Sequence, residues 1–178
     1  MKKLIIIMLM IFAFATVEGR RDLPHVAKAY IGINERSDRS QVLRFLATVK
    51  IGKLSSWCAA FARFVMDETR VDLPVRSAIA KAYITNNSIK AKDVAKGYIK
   101  LDPNKDYLAI WTHGNSWKGH IGIVESWGTI SGKTIEGNTS GTSRGSQRSG
   151  GTVARRTRSI TAYNDFRIIY FTPIEDLK

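Results

Sequence analysis

The hydrophobic pattern changes period near the middle of the chain, and that change limits the folds open to it. From about His25 to Val49 apolar positions recur at helical spacing: Val26, Tyr30 and Ile33, then Val42, Phe45, Leu46 and Val49. "NERSDRS" is a polar break between the two runs. "KLSSWCAAFARFV" resumes the pattern, with Trp57, Phe61, Phe64 and Val65 on one helical face. Ser55 or Ser56 is a natural N-cap, which predicts a helix starting at or just before Cys58. "RSAIAKAY" reads as a further short helix. Then the period falls to that of strands. "LDPNKD" is a turn, and "YLAIWTH", "HIGIVESW" and "RIIYFTPI" are short, aromatic and β-branched. "KTIEGNT" reads as one more strand, ending in a Gly-Asn turn. Helices first and strands second predict an α+β domain with its helices on one side of an antiparallel sheet.

The N-terminus has the pattern of an export signal. Lys2 and Lys3 precede an uninterrupted apolar run from Leu4 to Ala15, and Ala13-Phe14-Ala15 supplies small residues ahead of a polar stretch. The run is shorter than the ~20 residues of a membrane span, and no cysteine follows it that a lipid could modify. Residues 1–19 are therefore expected to be removed, after Ala15 or Gly19. The remainder, 20–178, has the length of one domain, destined for the periplasm or the exterior.

In an exported chain Cys58, the only cysteine, has no partner for the disulfide that oxidising compartments favour. A lone thiol there is an intermolecular link, a buried small hydrophobe, or a reactive group. Its place in a first helical turn favours reactivity, because free N–H groups and the helix dipole stabilise a thiolate. His120, in "WKGHIGIVE", begins a predicted strand, and Gly119 and Gly122 leave room beside its ring. Glu136 and Asn138 lie two apart in "TIEGNTS", so a regular strand would point both to one face. One would orient a histidine and the other supply a neutral donor. One cysteine and three scattered histidines, His25, His113 and His120, do not make a zinc site, and no cofactor is expected.

"SSWCAAFARFV", "GHIGIVE" and "IEGNTSG", in that order on helix, strand and strand, resemble the CHAP family. These are cysteine- and histidine-dependent amidohydrolases and peptidases of the papain-like NlpC-type superfamily. The resemblance runs from near "AKAYIGINE" through "RSGGTVARRTR" to "FRIIYFTP". It implies a papain-like fold, and a hydrolase that cuts amide bonds in the peptide part of bacterial peptidoglycan through an acyl-enzyme. The bond is that of an N-acetylmuramoyl-L-alanine amidase or of an endopeptidase. By the resemblance Cys58 attacks, His120 is the base and Glu136 orients it, with Asn138 the alternative orienter. Trp57, Gly119 and His113 are the candidate substrate contacts, although Trp57 is as readily a core residue and His113 a surface one. Trp111, Trp117 and Trp127 fall in the strand region, where aromatic residues usually pack.

The net charge of +13 has a local source. Arg144, Arg148, Arg155, Arg156 and Arg158 lie in one stretch without an acid, its first half rich in Gly and Ser. Such a patch attracts polyanions, and an exported protein meets anionic wall polymers before nucleic acid, which is not an expected partner. Two other readings fit the same residues: an inactive wall-binding module, and an antibacterial effector, which would travel with an immunity protein.

Overall fold

The computed structural model describes residues 22–70, 73–142, 150–160 and 166–177, and of 166–169 only the backbone. The expected export signal, Arg144 and Arg148 lie outside the described residues. Along the chain come α1 (Leu23–Lys28), α2 (Arg39–Ala47), α3 (Cys58–Glu68), a single 3-10 turn (Ala80–Tyr83), β1 (Ile89–Lys90) and α4 (Ala91–Ala95). Then follow β2 (Tyr107–His113), β3 (Gly119–Trp127), β4 (Ser131–Thr139), β5 (Thr152–Ser159), β6 (Phe166–Pro173) and a closing 3-10 turn (Ile174–Leu177). The protein has a mixed α+β fold in which N-terminal helices pack against a six-stranded antiparallel sheet. The strand order is β1-β6-β2-β3-β4-β5.

The strand period of two explains why "YLAIW" reads as one apolar run. Leu108 and Ile110 join the cluster under α2 and α3, with Ile121, Ile123, Ile135 and Val153. Tyr107, Ala109 and Trp111 face the other way, into a smaller cluster with Val124, Phe171 and the α4 residues Ala91 and Val94. The expectation of helices on one side of the sheet is corrected here, since α4 covers the second face. β5 also differs from the sequence reading, which found only a basic segment there. Its alternation is hidden by arginines on an edge strand.

α3 runs through the core with nine of its eleven residues buried, so its first turn is held in place from all sides. Phe45 contacts Trp57, Phe61 and Phe64, with ring centroids 4.8 to 5.7 Å apart. The one cation in this helix, Arg63, donates from its terminal nitrogens to the carbonyls of Leu73 (2.8 Å) and Val75 (3.0 Å) and to Asp67 (2.5 Å). β4 comes so close to α3 that a Cβ at Gly137 would lie 2.5 Å from Phe61 Cβ and 2.8 Å from the Trp57 ring. Only glycine permits that approach. Beyond β5 the α1–α2 connection supplies a partner for the open edge. Gly32 N–H bonds Val153 O (2.9 Å), Val153 N–H bonds Ile33 O (2.8 Å), and Glu35 N–H bonds Gly151 O (2.7 Å).

Candidate active site

Cys58 is the first residue of α3, within the expected start at or just before the cysteine, but the serine from which that start is read is not the cap. Trp57 occupies the N-cap position and provides no side-chain cap; Ser55 and Ser56 are exposed. Trp57 is instead an anchor. Its ring is wholly buried against Phe45, and its indole N–H donates to Glu35 Oε2 at 2.8 Å. It therefore belongs to the core, and through it the start of α3 is tied to the α1–α2 connection. The helical ladder begins with Phe61 N–H to Trp57 O (2.9 Å). Helix geometry leaves the N–H groups of Cys58, Ala59 and Ala60 outside that ladder, beside the sulfur.

The Cys58 side chain stands close enough to His120 to act on its imidazole. Pairing of β3 with β2 sets His120 opposite Trp111, whose ring lies 5.3 Å from the imidazole. His120 Nε2 meets Glu136 Oε2 at 2.8 Å, which leaves Nδ1 for the sulfur. Glycine at 122 makes the carboxylate contact possible, since a Cβ there would stand 2.7 Å from Glu136 Cγ. The room that Gly122 leaves is thus filled by the protein's own Glu136. Gly119 is similarly committed: a Cβ there would lie 2.7 Å from Trp111 O, so its role is to let β3 lie close to β2.

Glu136 is saturated with donors. Oε1 accepts from Thr134 Oγ1 (2.5 Å) and Arg158 Nε (2.6 Å), and Oε2 accepts from His120 and from the second arm of the Arg158 guanidinium. Burial acts against the charge on this carboxylate, but Arg158 and His120 outweigh it and hold the carboxyl well below the usual range. Burial also opposes an imidazolium at His120. Hydrogen bonds to Cys58 and Glu136, and the negative charge on those partners, overcome that and push the imidazole up to about 9. The arrangement is a row of alternating polarity, from guanidinium to carboxylate to imidazole to sulfur. Within the row His120 and Glu136 are at most 1% exposed, and what little solvent access there is lies at its two ends, Cys58 at 7% and the Arg158 side chain at 13%.

Asn138 is buried at 5% exposure but does not repeat the direction of Glu136. The β4–β5 register slips between Glu136 and Thr139, and Asn138 takes φ +53°, a bulge that breaks the two-residue period. It lines a groove of about 520 Å³ with Asn34, Glu35, Arg36, Leu54, Ser55, Ser56, Gly150 and Gly151. The groove touches the segments just before Cys58 and just after Glu136. His113 is exposed at the last position of β2. Trp111 is buried and Trp127 packs on Phe171 at 4.8 Å, but Trp117, expected to pack, is 70% exposed on the β2–β3 connection.

Sequence reasoning missed the role of Arg158. It grouped this residue with a polyanion-binding patch, yet the guanidinium grips Glu136 and lies over the Trp111 ring at 5.3 Å. Arg155 forms a two-point pair with Glu125 (2.6 and 2.9 Å). Arg156 donates to Ser140 O (2.7 Å) and Thr142 O (2.6 Å). Recognising β5 as a strand would not have been enough: the register sets Arg158 opposite Gly132 and Ala154 opposite Glu136, and the guanidinium reaches Glu136 by running along the sheet face. Among the described residues no group of three His, Cys, Asp or Glu side chains could hold a metal ion, and no helix is long and apolar enough to cross a membrane. Comparison with protein-family models, with curated proteins and with solved structures found no match.

Proposed function

We propose that this protein is a cysteine-dependent amide hydrolase of the papain-like NlpC type, acting on the peptide part of peptidoglycan. The observation that carries the chemistry is the sulfur at the start of α3, near enough to act on a histidine that is held by a buried carboxylate. The choice of peptidoglycan draws on the CHAP-like motifs and the export segment.

In this reading Cys58 Sγ attacks the substrate carbonyl carbon with His120 protonated beside it. The oxyanion that forms is met by N–H groups of the first turn of α3, that of Cys58 foremost. Collapse of the tetrahedral species breaks the C–N bond, and His120 gives its proton to the departing amine. A thioester remains on Cys58. Water, losing a proton to His120, attacks that thioester and releases the carboxylic acid, which returns the sulfur to its starting state. Glu136 fixes the ring tautomer throughout and keeps the imidazolium stable. The polar groove beside Ser55, Ser56 and Asn138 is where the peptide lies.

The test is clearance of a suspension of purified sacculi. The wild-type protein is expected to solubilise them with release of new amino termini, and pretreatment with iodoacetamide to stop it. Clearance that survives complete alkylation of Cys58 would remove the thiol from the mechanism.

A further inference from the structure

We propose that Arg158 is a positioning residue for the Cys58–His120 pair, acting through the carboxylate of Glu136. The inference rests on the hydrolase reading only for its effect on turnover; the geometry stands without it. The guanidinium engages both oxygens of one carboxylate, Nε to Oε1 at 2.6 Å and the other arm to Oε2, the oxygen that faces His120 Nε2. A two-point contact fixes the plane of the carboxylate as well as its place, which a single ammonium does not. Trp111 completes the mounting: its ring contacts the Arg158 guanidinium and the His120 imidazole, each at 5.3 Å. One indole therefore sets the spacing of cation and base.

The charge of Arg158 matters as much as its shape. Glu136 is fully buried, and a carboxylate there holds its charge only against permanent positive partners. The charged and titratable groups around it are His120 on β3, Cys58 on α3, and Arg156 and Arg158 on β5. Arg156 spends its hydrogen bonds on Ser140 and Thr142 carbonyls, so Arg158 is the permanent cation in direct contact. Without it Glu136 takes up a proton at higher pH, its grip on the imidazolium ends, and the sulfur loses its counter-charge.

The experiment follows alkylation of Cys58 by iodoacetamide against pH, which needs no substrate, in wild type, Arg158→Gln, Arg158→Lys and Lys105→Gln. Lys105 pairs with Glu175 away from this row and serves as the charge control. Arg158→Gln is expected to move the acid limb of reactivity up by about 1 to 3 pH units. Arg158→Lys should recover part of that shift, and Lys105→Gln should match wild type. Coincident profiles for Arg158→Gln and wild type would overturn the inference, even with a lowered melting temperature, because a purely structural role changes only the latter. If Arg158→Gln does not fold, Arg158→Lys decides by the same criterion. The sacculus assay keeps the two claims apart. An inert wild type with a shifted Arg158→Gln profile defeats the hydrolase reading alone. An active wild type with coincident profiles defeats the Arg158 inference alone.

Discussion

Arg158 and Glu136, 22 residues apart in sequence, form a two-point ion pair across β4 and β5, the guanidinium reaching along the strand from its place opposite Gly132. The pair turns a glutamate that faces a histidine into a carboxylate that stays ionised while buried. Removing its negative member leaves a guanidinium with 13% side-chain exposure and no counter-charge from Glu136. Glu136→Gln is expected to cost about 3 kcal/mol of stability and to leave only weak activity. Urea unfolding and the sacculus assay on the same preparation measure both. A stability unchanged within about 0.5 kcal/mol would contradict the account of the pair.

The two shifted groups set opposite limits on stability with pH. His120 is raised from 6.5 to about 9, so the folded state holds a proton that the unfolded state releases between those values. Its contribution is complete below about 6.5 and is lost as pH climbs through about 9. Glu136 is lowered from 4.5, so its contribution is complete above that value and fades as pH falls further. Urea midpoints should form a plateau between about pH 5 and 6.5 and decline on either side. His120→Gln should flatten the alkaline decline; an unchanged slope would remove His120 as its source.

Gly122 and Gly137 make a paired test of how the site is positioned. A methyl at 122 would meet Glu136 Cγ at 2.7 Å and Thr134 Cβ at 3.3 Å, so Gly122→Ala should displace the carboxylate. Turnover should fall at least tenfold, a loss of about 1.4 kcal/mol in barrier lowering. A methyl at 137 would instead meet Phe61 and the Trp57 ring. Gly137→Ala should destabilise the core by about 1 to 3 kcal/mol, as overpacking does. Equal turnover for Gly122→Ala and wild type would show that the carboxylate's place is not set as described.

The parts of this structure legible in the sequence are those where burial imposes a period. The spacing of Trp57, Phe61, Phe64 and Val65 gives α3 and the face it buries, and β2, β3, β4 and β6 follow apolar or alternating runs. His120 and Glu136 could be chosen as candidates because they sit on such strands. What stayed hidden depends on register and backbone exceptions. β5 carries its arginines along an edge, where charge disguises a strand, and the partner of Arg158 lies four positions along β4 from the residue it pairs with, which only the side-chain path reveals. The bulge at Asn138 rests on one positive φ. The cap at Trp57 has no side-chain signal, while two serines nearby suggest one. Trp117 was expected inside because tryptophan usually is, but the β2–β3 connection carries it into solvent.

The central claim is that Cys58 is the nucleophile of a peptidoglycan hydrolase, and one digest tests it most directly. Purified peptidoglycan is incubated with wild type and with Cys58→Ala, and the soluble fragments are identified by mass spectrometry. Cys58 is a small residue at a helix start, so the alanine variant should keep its fold, at a cost of about 1 kcal/mol or less. The account predicts fragments from wild type alone. Free stem peptides with intact glycan strands would identify an amidase, and cuts within the stem or bridge an endopeptidase. Equal release by Cys58→Ala, or no release by the wild type from any of several wall types, would contradict it.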